Sequence, residues 1–167
     1  MDEYLRMIQL KTSVLLAASL KMGAILGGAG EGNQQHLYEF GKNLGIAFQV
    51  QDDYLDAFGD PDKFGKQLGG DILANKKTYL LLKALELASS SQEKELKRWL
   101  SIKDFDDKEK VNAVKNIFME TGVKEKAEAE MENYFQKSTT ALNAVNADDE
   151  KKQQLIGFSE KLMQRQH

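Results

Sequence analysis

Residues 48–76 read FQVQDDYLDAFGDPDKFGKQLGGDILANK, and six of the twenty residues from Asp52 to Asp71 are aspartate. Asp52 and Asp56 are four positions apart, so on a helix they share one face about one turn apart, and like charges at that spacing destabilise the helix. Gln49 precedes Asp52 by three positions and points to the same side. A solvated acidic face is the simpler interpretation. The surrounding helix is strongly apolar, however, so the carboxylates are costly exceptions that a bound divalent cation would relieve.

The ligand atoms in this stretch are oxygens, with no His or Cys nearby, which suits Mg²⁺ rather than zinc. An EF-hand loop is excluded because, counting from Asp52, the third position is Tyr54 and the twelfth is Lys63. A P-loop is excluded because Gln67 stands where Ser or Thr is required. Three lysines and one further aspartate accompany these carboxylates: Lys11, Lys66, Lys76 and Asp71. The combination predicts a site for magnesium and a diphosphate, whose negative charges two kinds of cation would share.

Helical periodicity continues on both sides of this stretch, because apolar residues recur at three- and four-residue steps. The predicted segments are a helix over 3–29, a helix from an Asn33 cap to about Phe58, a turn at 59–62, a helix over 73–88 and amphipathic helices over 92–167. No segment alternates as a strand would. The chain is therefore predicted to be all-α, a single domain over 1–167 in which 1–88 carry the motifs and 89–167 form a helical tail.

The composition excludes several classes of protein. The chain has 167 residues, of which 41% are hydrophobic and 29% charged, as in one soluble globular domain. A net charge of −3 argues against nucleic-acid binding, and the absence of cysteine excludes disulfide scaffolds and zinc fingers. The N-terminal sequence MDEYLRMIQLK lacks the order of a signal peptide. Residues 12–30 are apolar, but Lys21 would be costly in lipid, so we expect no membrane span and a cytoplasmic location.

In type and order these residues resemble the second aspartate-rich region of the trans-isoprenyl diphosphate synthases, the polyprenyl synthetases that include farnesyl and geranylgeranyl diphosphate synthases. The matching elements are Gln49, the DDYLD of Asp52–Asp56, Gly59-Asp60-Pro61, Gly65-Lys66, Gly70-Asp71-Ile72 and Asn75-Lys76, with Lys11-Thr12 upstream. The resemblance is specific through residues 3–88, and the loop over 66–71 is one residue longer than in farnesyl synthases. It implies a helical bundle of the isoprenoid synthase type.

The resemblance also implies an activity and roles for individual residues. Enzymes of this family condense an allylic diphosphate with isopentenyl diphosphate, and the intact enzyme is expected to be a homo-oligomer, namely a dimer. By this analogy Asp52 is a magnesium ligand, Asp53 and Asp56 complete or orient that site, and Asp71 is an acid outside the direct ligand shell. The allylic diphosphate would be held by Lys11, Lys66 and Lys76. The side-chain oxygens of Thr12 and Gln49 would face the developing carbocation.

The main departure from the family is that no second aspartate-rich motif precedes Asp52, and the only upstream acids are Asp2, Glu3, Glu31 and Glu39. We therefore expect the C-terminal half of such an enzyme, inactive alone, with apolar surface left exposed on the first two helices or covered by self-association. A catalytically silent subunit that binds magnesium-diphosphate is the alternative. An all-α terpene cyclase is a third interpretation, disfavoured by the Lys11-Thr12 pair.

Overall fold

The computed structural model describes residues 1–60 and 68–164. Every regular element in those two ranges is helical, so the prediction of an all-α fold is confirmed. In chain order the helices are α1 (Asp2–Ile8), α2 (Val14–Leu26), α3 (Glu31–Phe58), α4 (Gly70–Leu73), α5 (Tyr79–Leu87), α6 (Ser90–Ser101), α7 (Asp107–Glu120), α8 (Val123–Asn143) and α9 (Asp149–Met163). A π-helical segment, Gln9–Ser13, joins α1 to α2.

Two predicted boundaries are wrong for identifiable reasons. Asn33 does not cap α3, which begins at Glu31. Instead the Asn33 side chain accepts a 2.9 Å hydrogen bond from the backbone N–H of Asn146 and donates to its carbonyl at 3.4 Å. Because the partner lies 113 residues away, no local capping pattern could have indicated it.

The helix predicted over 73–88 is interrupted. Helix α4 ends at Leu73, and α5 does not begin until Tyr79. Between them Asn75 adopts a left-handed conformation (φ 52°), which stops an α-helix. Thr78 then caps α5, since its side chain accepts from the N–H of Leu81 at 3.3 Å.

The chain separates into two compact units, and each is described by itself. The first comprises residues 2–51 and 129–164. Its core contains Phe40 and Leu44 of α3, with Leu142 and Val145 at the end of α8 and just after it. Small residues bring the N-terminal helices close to α3. A Cβ on Gly45 would lie 2.8 Å from the Cα of Ser13, and one on Gly41 would lie 2.9 Å from the Cα of Ala17.

The N-terminal helical segment Asp2–Leu26 has a second apolar face that nothing in the described structure covers. Its exposed large side chains are Met7, Leu10, Leu15, Leu16, Met22, Ile25 and Leu26. The prediction of uncovered apolar surface is thus confirmed for the first helix. It is wrong for the second, because α3 buries residues such as Phe40, Leu44 and Val50.

By length and composition alone, Asp2–Leu26 is also the one described segment that could span a bilayer, with mean hydropathy 1.2. This is weak evidence, because core helices pass the same test.

The second unit comprises Met1 and residues 52–60 and 68–128. Its interior is formed by apolar side chains from α4 to α8: Ile72, Leu80, Leu81, Leu96, Trp99, Val114, Ile117, Phe118 and Val123. The break predicted at Ser89 coincides with the start of α6, which has a capping box. The side chains of Ser89 and Gln92 each accept a hydrogen bond from the other residue's backbone N–H. Asp106 caps α7 by accepting from Glu109 N–H at 2.9 Å. This unit carries the aspartate cluster.

Candidate functional site

The last turns of α3 carry three of the predicted acidic residues. Asp52 is exposed, whereas Asp53 and Asp56 are half-buried. Asp52 makes no hydrogen bond or ion pair with any residue in 1–60 and 68–164, so its oxygens are available to a ligand. The helix places Asp52 and Asp56 one turn apart on one face, as the spacing predicts.

Asp56 is joined to the next segment of the chain by two hydrogen bonds. Its Oδ2 accepts from the backbone N–H of Asp71 at 3.0 Å. The Asp56 carbonyl accepts from Gly69 N–H at 2.7 Å. Gly69 is left-handed (φ 82°), and a Cβ on Gly70 would lie 3.4 Å from Asp56 Oδ1, so this glycine pair lets the backbone approach the carboxylate closely. The Asp71 carboxyl is thereby brought beside Asp56.

Lys76 completes the cluster by forming an ion pair and hydrogen bond with Asp71 Oδ1. The lysine side chain is 63% exposed, whereas that of Asp71 is 14% exposed. The hydrogen bond to Asp71, followed by the charges of Asp71, Asp56 and Asp52, raises the pKa of Lys76. The ammonium is therefore both charged and accessible to an anionic ligand.

The pKa of Asp56 is raised above its usual value, chiefly by burial and further by the negative charges of Asp71 and Asp52. The Asp71 amide and the Lys76 ammonium act in the opposite direction. The negative charges of Asp71 and Asp52 thus oppose the ionisation of Asp56. A divalent cation would offset that repulsion, which makes the cluster chemically suited to one.

Asp53 is engaged differently from its neighbours. Its Oδ2 accepts a 2.7 Å hydrogen bond from the backbone N–H of Tyr79, the first residue of α5. A carboxylate at a helix N-terminus satisfies an otherwise unpaired N–H group and interacts favourably with the helix dipole. This contact gives Asp53 a role in tying α5 to α3, in addition to the role in orienting a metal site that we expect from the sequence.

The described carboxylates do not form a complete metal cage. Among residues 1–60 and 68–164, no three His, Cys, Asp or Glu side chains converge closely enough to hold an ion by themselves. This arrangement fits magnesium, which retains most of its waters and binds through one or two carboxylates together with substrate phosphates. Asp52 and the Asp56 Oδ1 atom are the available donors of this kind.

The remaining predicted residues lie elsewhere or outside the described ranges. Lys11 and Thr12 belong to the first unit, where they occupy the π-helical segment Gln9–Ser13. Single π-turns within α-helices are frequent at functional sites. Lys11 is exposed, and Thr12 and Gln49 are half-buried. Lys66 lies outside the described residues.

Sequence reasoning missed Lys110, a buried lysine on α7 that contacts the turn following Asp71. Lys110 precedes Val114, Ile117 and Phe118 by four, seven and eight positions, and this place on the apolar face of α7 is the signal that could have found it. Beside it a cavity of about 20 Å³, with room for one water molecule, separates the Asp71–Lys76 turn from Trp99. The Trp99 Nε1 atom is buried and has no hydrogen-bond partner among the described residues.

Fold and site together define an all-α protein with an acidic cluster that can receive a divalent cation and a lysine that can receive an anion. The family model for polyprenyl synthetase matches residues 1–118 of this chain. The chain belongs to the polyprenyl synthetase family.

Individual relatives agree with this assignment. The short chain isoprenyl diphosphate synthase of Methanothermobacter thermautotrophicus is 35% identical over 166 residues, which cover 99% of this chain and 50% of that protein. A crystal structure of a geranylgeranyl pyrophosphate synthase superposes with a TM-score of 0.90 at 44% sequence identity. The match covers 99% of this chain and 52% of the chain in that crystal structure. The polyprenyl synthase of Caulobacter crescentus CB15, complexed with calcium and isoprenyl diphosphate, superposes with a TM-score of 0.87 at 27% identity, covering 98% and 49%.

These matches establish the isoprenoid synthase fold and confirm the resemblance drawn from the aspartate-rich stretch. The chain spans about half the length of the curated relatives it matches. The relatives are named as isoprenyl diphosphate synthases, which are transferases.

Proposed function

We propose that this chain supplies the diphosphate- and metal-binding part of a prenyltransferase, which condenses an allylic diphosphate with isopentenyl diphosphate in isoprenoid biosynthesis. The observation that carries the proposal is the cluster in which the Asp71 amide fixes Asp56 while the Asp71 carboxyl pairs with the exposed Lys76. The cluster lies in the aspartate-rich stretch that carries the family resemblance. A catalytically silent subunit is not favoured, because the named relatives are synthases.

In this proposal the carboxylates of α3 and the turn after it hold a divalent cation, magnesium. Asp52 and the Asp56 Oδ1 atom would be its ligands, Asp53 would orient them, and Asp71 would be an acid outside the direct ligand shell. Magnesium, when bound, neutralises charge on the allylic diphosphate and favours its departure. Asp56 is held by the Asp71 amide, so its free oxygen needs little reorganisation to accept a ligand.

The lysines hold the diphosphate. Lys76 donates to its oxygens while Asp71 keeps the ammonium oriented, and Lys11 and Lys66 donate in the same way. Each charge-assisted hydrogen bond of this kind contributes roughly 1.5–3 kcal/mol.

Thr12 and Gln49 present side-chain oxygens to the positive charge that develops on the allylic carbon as its bond to the diphosphate breaks. The isopentenyl double bond attacks that carbon, and the departing diphosphate accepts the proton that is lost.

The proposal extends to the assembly and location of the enzyme. The uncovered apolar face of Asp2–Leu26 supports burial against further polypeptide, and we propose a homo-oligomer in the cytoplasm for the intact enzyme.

Isothermal titration at fixed Mg²⁺ should show pyrophosphate binding to the purified chain. Asp52→Asn and Lys76→Ala should each weaken that binding about tenfold or more. Lys97→Ala is the matched control, because Lys97 forms an exposed ion pair with Glu93 on α6. Equal affinity in all four proteins would contradict the assignment.

Activity is tested by joining this chain to the part of the Methanothermobacter relative that it does not cover. Incorporation of labelled isopentenyl diphosphate into a longer prenyl diphosphate should require Mg²⁺ and Asp52, and should be absent from the Asp52→Asn version. A chimera that folds, binds pyrophosphate and yields no product would restrict the chain to binding.

A further inference from the structure

Lys110, in the first turn of α7, is 1% exposed and is the only lysine buried among residues 1–60 and 68–164. Its Nζ donates a 2.7 Å hydrogen bond to Asn75 Oδ1 and lies 3.4 Å from the carbonyl oxygen of Leu73. It also lies 4.1 Å from the centre of the Phe105 ring. None of the ion pairs in the described part of the chain includes Lys110.

A buried ammonium without a carboxylate partner is unfavourable, because burial removes its hydration and neutral oxygens replace only part of it. Burial accordingly lowers the pKa of Lys110, against the opposing effect of the Asp107 charge. An apolar side chain of the same length would fill this position at less cost. The lysine therefore serves something other than the packing of α7.

Its two acceptors belong to the turn that joins Asp71 to Lys76. Leu73 is the last residue of α4, and Asn75 is the left-handed residue that follows. Within the turn, Asn75 N–H donates to the Ile72 carbonyl at 3.2 Å, and Lys76 N–H donates to the Asp71 carbonyl at 3.0 Å. The other end of the Asn75 amide donates to the Leu100 carbonyl at 3.2 Å. Asn75 is thus held from both sides, and the next residue is the lysine paired with Asp71.

We propose that Lys110 is a positioning residue, which holds Asn75 in its left-handed turn and so places the Lys76 ammonium against Asp71, where a diphosphate would be bound. The second half of this statement rests on the proposed function. The first half concerns the protein without ligand and is tested separately.

In the ligand-free test an amine-reactive reagent labels the folded chain, and tandem mass spectrometry of its peptides measures how fast Lys76 is labelled. Lys110→Met removes the ammonium and keeps the length of the side chain. It should free Lys76 from Asp71 and speed its labelling about threefold or more, while Lys97, paired with Glu93 on α6, serves as the internal reference and is unchanged. Asn75→Asp keeps an acceptor for Lys110 and should label Lys76 no faster than the parent chain.

Asn75→Ala removes the acceptor of the same hydrogen bond, whereas Lys110→Met removes its donor. The two variants should have the same effect, so the test does not depend on one variant folding. Unchanged Lys76 labelling in a folded Lys110→Met or Asn75→Ala chain would overturn the positioning role. Faster labelling of Lys76 and Lys97 together would indicate general loosening and would overturn it as well.

The ligand test measures pyrophosphate affinity at fixed Mg²⁺ in four proteins: the parent, Lys110→Met, Lys76→Ala and the double variant. If Lys110 acts through Lys76, its loss should weaken binding about fivefold in the parent and less than twofold when Lys76 is already alanine. Equal weakening in both backgrounds would show a merely structural role. No binding by the parent chain would refute the proposed function. The role of Lys110 in positioning Lys76 would then be decided by the labelling result alone.

Discussion

Gly45→Ala should destabilise the chain although it adds only one methyl group. The new Cβ would lie 2.8 Å from both the Cα and the Oγ of Ser13 and 2.9 Å from its Cβ. Ordinary contacts of a Cβ begin at about 3.4 Å, and the obstructing Cα is backbone that cannot rotate away. The two helical segments must therefore separate by several tenths of an ångström.

The expected magnitude is the difference between two opposing effects. Overpacking of this kind costs about 1–3 kcal/mol, and we take the upper part of that range because the contact is with backbone. Replacing glycine within a helix by alanine gains roughly 0.5–1 kcal/mol. The net loss in the free energy of unfolding is then about 1–2 kcal/mol, equivalent to a fall of about 3–6 °C in Tm for a chain of this size.

Gly23→Ala is the matched control, because Gly23 lies inside α2 and a Cβ there would meet nothing within 4 Å. It should stabilise the chain by roughly 0.5–1 kcal/mol through helix propensity alone. Urea unfolding followed by circular dichroism measures both variants under the same conditions. If Gly45→Ala is as stable as the parent, or shifts in the same direction as Gly23→Ala, the close approach of Ser13 to α3 is wrong.

The same substitution has a functional consequence. Ser13 ends the π-helical segment that contains Lys11 and Thr12. Displacing Ser13 moves both residues, so Gly45→Ala should also lower the activity of the chimera described above, whereas Gly23→Ala should leave it unchanged.

Further predictions concern α5, the apolar face and α6. Asp53→Ala removes the acceptor of the Tyr79 N–H and should lower the free energy of unfolding by about 1 kcal/mol, measured by urea unfolding; an unchanged midpoint would argue against this cap. Leu15 and Leu26 are 72% and 89% exposed, so replacing both by Gln should lower the weight-average mass in sedimentation equilibrium at high concentration, whereas Phe158→Gln on α9 should not. A parent chain that is already monomeric there would contradict self-association through this face. Ser89→Ala removes the capping box of α6 and should cost about 1 kcal/mol, with hydrogen exchange accelerated in its first turn and not in the first turn of α7.

Local patterns predicted most of the helices correctly, since the hydrogen bonds that form a helix connect residues four positions apart. The helix over 3–29 corresponds to Asp2–Leu26, and the one ending near Phe58 ends there. The π-turn at Gln9–Ser13 was not predictable, because apolar periodicity does not distinguish one inserted residue. The interruption at Asn75 was missed for a related reason: alanine, asparagine and lysine are all compatible with a helix.

The sequence by itself determined the all-α class and the family, because helical spacing and an ordered set of aspartates, glycines and lysines are properties of the chain. The tertiary structure decided which groups act together. The Asp71 amide lies 15 residues from Asp56, and Lys110 lies 35 residues from Asn75. Partners so far apart in sequence meet only when apolar packing sets the distances between their helices, and a hydrogen bond tolerates errors of only a few tenths of an ångström in those distances.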